Sequence, residues 1–168
     1  MNFYADDLFR VLQFHYELGM LLFSISKRQG TNDATFLIVD QINHGVPSLV
    51  QPEGAVEIAE LNLKAGVRAM EFSDYLTASS YLSKARSLLP TSHWQDHYEL
   101  SLRLYFMSAK VAYSCSTDNI QHTRTLLKAI LENGRSIGDK LDAYLLHATV
   151  SANHTSVWVM HFEYLMTS

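Results

Sequence analysis

Small residues recur at helical intervals between Ala59 and Pro90, at positions where most helices carry bulkier side chains. The first part of the stretch has Ala59, Asn62, Gly66 and Ala69 three or four residues apart, and the second part has Ala78, Leu82 and Ala85. Residues with this spacing share one face of a helix. Because two antiparallel helices approach closely only where small side chains line their contact, the stretch predicts a tightly packed helical hairpin.

The same intervals match the tetratricopeptide motif, a helix-turn-helix repeat of about 34 residues. The matching residues are Gly66, Ala69 where the motif often has Tyr, Ala78, Leu82 where Phe is usual, Ala85 and Pro90. We interpret them as the residues that pack the two helices of one repeat together. The alternative interpretation is a generic helical hairpin that is rich in alanine.

The rest of the chain also favours helices, since it has only three prolines and seven glycines and its apolar residues recur every three or four positions. The predicted helices cover residues 7–27, 33–44, 53–72, 74–89, 92–115, 118–133 and 139–152, with a short further helix in the tail. Ser73 or Asp74 is expected to cap the fourth of them. The apolar stripe predicted for the first helix consists of Leu8, Val11, Leu12, His15, Leu18, Leu22 and Ile25.

These helices predict an all-α fold in which antiparallel hairpins stack as a short, right-handed, tetratricopeptide-like solenoid. Residues 1–52 are interpreted as capping helices and a connector, 53–90 as the repeat, 91–135 as a degenerate repeat, and 136–168 as a half repeat with an atypical tail. A single repeat cannot bury its apolar face, and about three are generally needed for stability. The half repeat is therefore expected to leave an open apolar end through which the chain self-associates.

Composition and charge narrow the class of protein. A formal net charge of -4 argues against a nucleic-acid surface, which needs clustered Lys and Arg. The longest apolar run, GMLLFSI, is far shorter than the roughly 20 residues that span a bilayer. Asp6 and Asp7 stand where a secretory signal carries positive charge, and the single cysteine, Cys115, cannot form an internal disulfide. We therefore expect a cytoplasmic protein that binds neither nucleic acid nor membrane.

The candidates for metal binding are incomplete. His93 and His97 have the spacing of two zinc ligands on a helix, but Trp94 replaces the glutamate of such motifs and no third ligand is identifiable. A second set recurs at intervals of seven, namely His147, His154 and His161. Asn153 and Thr155 argue against one continuous helix there. Phosphate-binding and kinase catalytic loops are also absent from the sequence, so we predict no enzymatic activity, no cofactor and no metal.

A partner-binding groove is the remaining candidate site. In tetratricopeptide arrays the first helix of each repeat forms the inner face, which here consists of Glu60, Leu63, Val67 and Met70. This face is mostly apolar and has none of the Lys, Arg or Asn side chains that hold a peptide carboxylate. It predicts a groove for a neighbouring helix or an amphipathic partner segment. The alternative is that these side chains are simply buried in the core.

Several segments resemble, in order, the helical region that follows the AAA-type ATPase module in very large sensor proteins of cyanobacteria, other bacteria and diatoms. They are FLIVDQINHG, AELNLKAGVRAM, YLTASSYLSKARSLLP, HWQDHYELSLRLYFMSAKVAY and GDKLDAYLLHA, within residues 14–153. The resemblance implies a non-catalytic scaffold that connects the domains of a signalling ATPase-kinase. The alternatives are a fragment of an ATP-dependent sensor kinase whose catalytic domains lie elsewhere, and the solenoid arm of a transcription regulator.

Overall fold

Helices make up nearly all of the backbone in a computed structural model of the chain. The structure describes residues 3–30, 34–45, 52–115 and 120–167, and it describes side chains within 6–30, 34–45, 54–115 and 120–152. No strand occurs within these ranges, so the all-α prediction is confirmed. The stacking of hairpins into a solenoid stays a prediction.

The helices agree with the predicted segments except at two places. They are α1 (Phe3–Gln29), α2 (Thr35–His44), α3 (Pro52–Glu71), α4 (Tyr75–Ser87), α5 (His93–Asp96), α6 (Tyr98–Cys115), α7 (Ile120–Asn133) and α8 (Ile137–Thr167). The helix predicted over 92–115 is divided at His97, whose φ of -130° and ψ of 49° leave the helical region. The helix predicted over 139–152 continues through the tail, because Asn and Thr each disfavour a helix interior only weakly.

The chain divides into two compact units, Met1–Thr91 and Ser92–Ser168. In the first unit α1 packs on α2, α2 on α3, and α3 on α4. Its core cluster consists of Ile38, Val39, Ile42, Ile58, Leu61, Ala65 and Tyr81. In the second unit α6 packs on α7 and both contact α8. Its core cluster consists of Ala109, Ala112, Leu126, Leu127, Ile130 and Ala143.

The stripe predicted for α1 is partly wrong. Leu22 packs against the core of the first unit as predicted, but Leu8, Val11 and Ile25 are exposed. Tyr16, Met20 and Phe23, which were outside the predicted stripe, also pack against this core. The reason is Gly19, which is buried: a Cβ there would lie 2.6 Å from Ile42 Cγ1 and 2.7 Å from the Ile42 backbone nitrogen. The missing side chain allows α2 to cross on this side of α1. Helical period alone does not show which of two apolar stripes a neighbour covers.

Five of the six residues interpreted as repeat-packing lie where α3 meets α4, and Pro90 does not. A Cβ on Gly66 would stand 2.8 Å from Leu82 Cγ and 3.4 Å from the carbonyl oxygen of Ala78. Ala69, Ala78, Leu82 and Ala85 are all buried. Pro90 is exposed and lies beyond the end of α4. The backbones of α3 and α4 are therefore in close contact along the face that carries Gly66.

Replacing Gly66 with Leu should lower the free energy of unfolding by about 2–3 kcal/mol, because the new side chain must displace Leu82 from a close-packed contact. The matched control is Gly54→Leu in the same helix, where an added Cβ meets nothing within 4 Å. Urea denaturation followed by circular dichroism measures the free energy of unfolding of both variants and of the parent. Equal stability of the two variants would show that the Gly66 contact tolerates bulk.

The turn between α3 and α4 is built on one left-handed residue. Ser73 has φ of 60°, its N–H donates to Met70 O at 2.9 Å, and the N–H of Asp74 donates to Ala69 O at 3.0 Å. These two bonds form a Schellman motif, in which glycine is the usual residue at the left-handed position. The side chain of Asp74 then accepts from Thr77 N at 3.1 Å and caps α4. Of the two candidate caps, Asp74 is the one used.

Ser73→Gly should raise the free energy of unfolding by about 0.5–1 kcal/mol, because glycine adopts the left-handed conformation without a Cβ clash. Ser87→Gly is the contrasting control. Ser87 lies in the last turn of α4 with ordinary helical geometry, so glycine there should lower stability. Thermal unfolding of the parent and the two variants gives their order of stability. A Ser73→Gly protein that is less stable than the parent would contradict the strain assigned to this turn.

Candidate functional site

The four residues of the predicted groove on α3 differ in accessibility. Glu60 is exposed, Val67 and Met70 are half-buried, and Leu63 is only 4% exposed. Leu63 therefore belongs to the packed interior, as the alternative interpretation of this face expects, and is not available to a partner. A groove at this place could present only Glu60, Val67 and Met70.

Glu60 also lines a cavity of about 290 Å³ between α1, α2 and α3. Its charged residues are Lys27, Glu57, Glu60 and Lys64, so the charges balance. Lys27 Nζ lies 2.6 Å from Glu57 Oε1, and this hydrogen bond raises the pKa of Lys27 above its ordinary value. Both partners are largely exposed, so the pair adds little to stability. With its cations and carboxylates matched, the cavity has no excess charge with which to select an ion.

His93 and His97 do not form the predicted pair of helical ligands. His93 lies in the four-residue α5, and His97 follows it with non-helical backbone angles. His93 Nδ1 is 2.8 Å from Ser101 Oγ, and the ring of His93 stacks on Tyr105 with centroids 5.6 Å apart. Among the residues whose side chains are described, no group of three His, Cys, Asp or Glu could hold a metal ion. The side chains of His154 and His161 lie outside those residues.

The contact between His93 and Ser101 has a structural explanation. Ser101 is 0% exposed, and its hydroxyl also lies within hydrogen-bond distance of the carbonyl oxygens of His93 and His97, at 3.0 and 2.8 Å. A serine nucleophile must reach its substrate and transfer its proton to a base. Because Ser101 is enclosed and faces two carbonyl acceptors, it joins α5 to the first turn of α6 rather than serving as a nucleophile.

Burial, followed by the charge of the nearby His97, lowers the pKa of His93 below its ordinary value of 6.5. The folded state therefore binds a proton at His93 less readily than the unfolded state, and stability should fall as the pH drops below about 6.5. His93→Gln should reduce this loss, measured as the difference in urea midpoint between pH 7 and pH 5.5. The same substitution at an exposed histidine, His147→Gln, is the matched control. An unchanged pH profile in His93→Gln would show that His93 does not contribute.

Four side chains hold the beginnings of α6 and α8 together. Tyr98 Oη donates to Asp139 Oδ2 at 2.6 Å and accepts from the N–H of Arg135 at 2.8 Å. The guanidinium of Arg135 lies 4.0 Å from the centroid of the Tyr98 ring. Asp139 Oδ2 also accepts from Ser136 N, and Ser136 Oγ accepts from Asp139 N, which is a capping box at the start of α8. Bonds from Tyr98 and Ser136 lower the pKa of Asp139, so its carboxylate stays ionised.

The helix fixed in this way has apolar side chains on two opposite sides. On one side Ala143 and Val150 are fully buried. The other side, which we name the α8 face, consists of Ile137, Leu141, Tyr144 and Leu145. Their exposed fractions are 82%, 53%, 53% and 59%. The described part of α8 thus exposes an apolar surface, and the sequence signal for it is a second stripe at i, i+4, i+7 and i+8.

Comparisons with known proteins identify no relative of this chain. No family model, curated protein or solved structure matches the chain. The resemblance to the helical region of sensor ATPases therefore stays a prediction. In the described residues, the structure contains no helix with the length and apolar character needed to cross a bilayer.

Proposed function

We propose that this chain is a non-catalytic interaction module whose α8 face binds an amphipathic helix of a partner protein. The observation that supports the proposal is the double-sided apolar character of α8, with Ala143 and Val150 buried on one side and the α8 face exposed on the other. A helix that covers the surface of a globular domain is polar on its outer side. A helix with apolar side chains on both sides is typical of one that packs between two neighbours.

The size and rigidity of the α8 face support binding. Contiguous apolar patches of this kind on soluble proteins commonly mark interaction sites. The capping box of Ser136 and Asp139, together with Tyr98, fixes the first turn of α8, so little order has to be created when a partner binds. Covering apolar surface contributes roughly 25 cal/mol per Å², so burial of these four side chains favours binding.

The borders of the α8 face define the chemistry of the partner helix. By helical position, Lys140 and His147 lie along one border and Asp142 along the other. A fitting helix has an apolar stripe at i, i+3, i+4 and i+7, acidic residues beside Lys140 and a basic residue beside Asp142. In a tetratricopeptide-like repeat that begins with α8, the second helix would occupy this place.

The resemblance to the region between the ATPase and sensor domains of signalling ATPase-kinases suggests a biological setting for the proposal. In that setting the module would relay or hold contacts between domains and take part in signal transduction without catalysis of its own. The sequence has a single cysteine and therefore no internal disulfide, which fits a reducing compartment, and we include a cytoplasmic location in the proposal.

Binding can be tested with a fluorescein-labelled peptide of residues 120–133, the sequence of α7, as the amphipathic probe helix. We chose it because Leu126, Leu127 and Ile130 already form a helix-packing stripe within the chain. Fluorescence anisotropy should show saturable binding to the full chain. The double variant Leu141→Asp and Leu145→Asp should weaken binding at least about tenfold, since charge on the α8 face opposes burial.

The matched control is Leu76→Asp, the same chemical change at a residue of α4 that is 79% exposed. It should bind the peptide as the parent does, and circular dichroism should show all variants equally folded. Absence of binding to the parent, or equal weakening by Leu76→Asp, would overturn the proposal.

A further inference from the structure

The cavity between α1, α2 and α3 has a preformed apolar floor. Ile38 and Leu61 are its least exposed lining residues, at 2% and 6%, and both belong to the core cluster of the first unit. Phe23 of α1 also lines the cavity and packs against the same cluster. Because close-packed core residues hold these three side chains in place, the floor exists before a ligand arrives, and little order has to be created on binding.

The rim of the cavity carries charges of both signs, namely the ammonium groups of Lys27 and Lys64 and the carboxylates of Glu57 and Glu60. Lys27 and Glu57 are already bonded to each other at 2.6 Å, between α1 and α3. The pKa of Lys27 is raised mainly by this hydrogen bond and, to a smaller extent, by the charge of Glu60. The carboxylate of Glu60 therefore lies near the bonded pair.

The other two charged rim residues, Glu60 and Lys64, form no ion pair with each other or with any other described residue. They lie one turn apart on α3, a spacing at which Glu and Lys commonly pair. Both are exposed at the opening of the cavity. They present one carboxylate and one ammonium group that a ligand can bridge.

The volume of the cavity selects a small ligand. At about 290 Å³ it lies at the lower limit of ligand pockets, which is roughly 300 Å³, and it equals the volume of about ten water molecules. A molecule with about ten non-hydrogen atoms therefore fills it, whereas a nucleotide or a multi-ring cofactor is too large.

The balance of charge on the rim favours a ligand that is neutral overall but carries both charges. A simple anion near Lys64 would also face the carboxylate of Glu60, and a simple cation near Glu60 would also face Lys64. A zwitterion satisfies both side chains at once through charge-assisted hydrogen bonds. The apolar floor adds the requirement for an apolar group on the same molecule.

We infer that this cavity binds a free α-amino acid with an apolar side chain. The ammonium group of the ligand donates to the carboxylate of Glu60, and the carboxylate of the ligand accepts from the ammonium group of Lys64. The side chain of the ligand packs on the floor. The three groups of such a ligand, joined at one carbon, correspond to the three features of the cavity. The inference does not depend on the proposed function, because the α8 face lies in the second unit.

Four small molecules test which groups of the amino acid the cavity recognises. L-leucine should bind the full chain saturably, with NMR chemical-shift changes at the backbone amides of the residues that line the cavity. Glycine lacks the apolar side chain, 4-methylpentanoate lacks the ammonium group, and 3-methylbutylamine lacks the carboxylate. Each should bind at least about tenfold more weakly than L-leucine. Failure of L-leucine to bind up to its solubility limit, or equal binding of any of the three analogues, would overturn the inference.

Single substitutions test the assignment of the two charged residues. Glu60→Gln and Lys64→Met should each weaken L-leucine binding about tenfold, because each removes one charge-assisted hydrogen bond. Both residues are exposed, so circular dichroism should show an unchanged fold. Glu71→Gln, at an exposed carboxylate of α3 outside the cavity, is the matched control and should bind L-leucine as the parent does. Binding that is unchanged in both cavity variants, or weakened equally by Glu71→Gln, would contradict the assigned site.

Discussion

Close approach of helix backbones at residues without bulky side chains is the constraint on which this fold depends. At Gly19 the space for a Cβ is already occupied by Ile42 of α2, and at Gly66 it is occupied by Leu82 of α4. In the second unit the small side chains are Ala109 and Ala112, both buried in the cluster that joins α6 to α7. A larger residue at any of these positions would separate the helices and open voids along the whole contact, because protein interiors are close-packed.

The same constraint explains why some apolar side chains of α1 and α8 are not covered by a neighbouring helix. A glycine or alanine stripe fixes which side of a helix its neighbour takes, and any other apolar stripe on that helix then remains uncovered. α1 and α8 are the longest helices of the described residues, and each has a second stripe of this kind. In both cases the exposed side chains follow a regular helical spacing.

Much of the fold could be predicted from the sequence, because apolar period, Pro and Gly content and the stripe from Ala59 to Ala85 all indicate the same structure. The approximate bounds of α3 and α4 were predictable from local patterns, and so was a cap at Ser73 or Asp74, but the choice of Asp74 was not. The division at His97 was not, because it depends on contacts that Ser101 makes with two carbonyl groups. The sequence also could not show which of the two apolar stripes of α1 is buried, since that depends on where α2 crosses.

The candidate sites show the same difference between local and tertiary information. The sequence indicated an apolar inner face on α3, but it could not show that Leu63 is enclosed while Glu60 remains accessible. The α8 face has a clear period in the sequence, yet its exposure is known only once Ala143 and Val150 are placed in the interior. Burial is a property of the assembled unit and is not recorded in the spacing of one helix.

The bond between Tyr98 and Asp139 also gives α8 a mechanical property. α8 has 31 residues and is therefore about 46 Å long, and its first turn is attached to the start of α6. A pivot of about 10° at that attachment would move the last turn by about 8 Å, given the rise per residue of a helix. Ala143 and Val150, buried further along the helix, oppose such a pivot, so the attachment at Asp139 and the buried side of α8 together fix its direction.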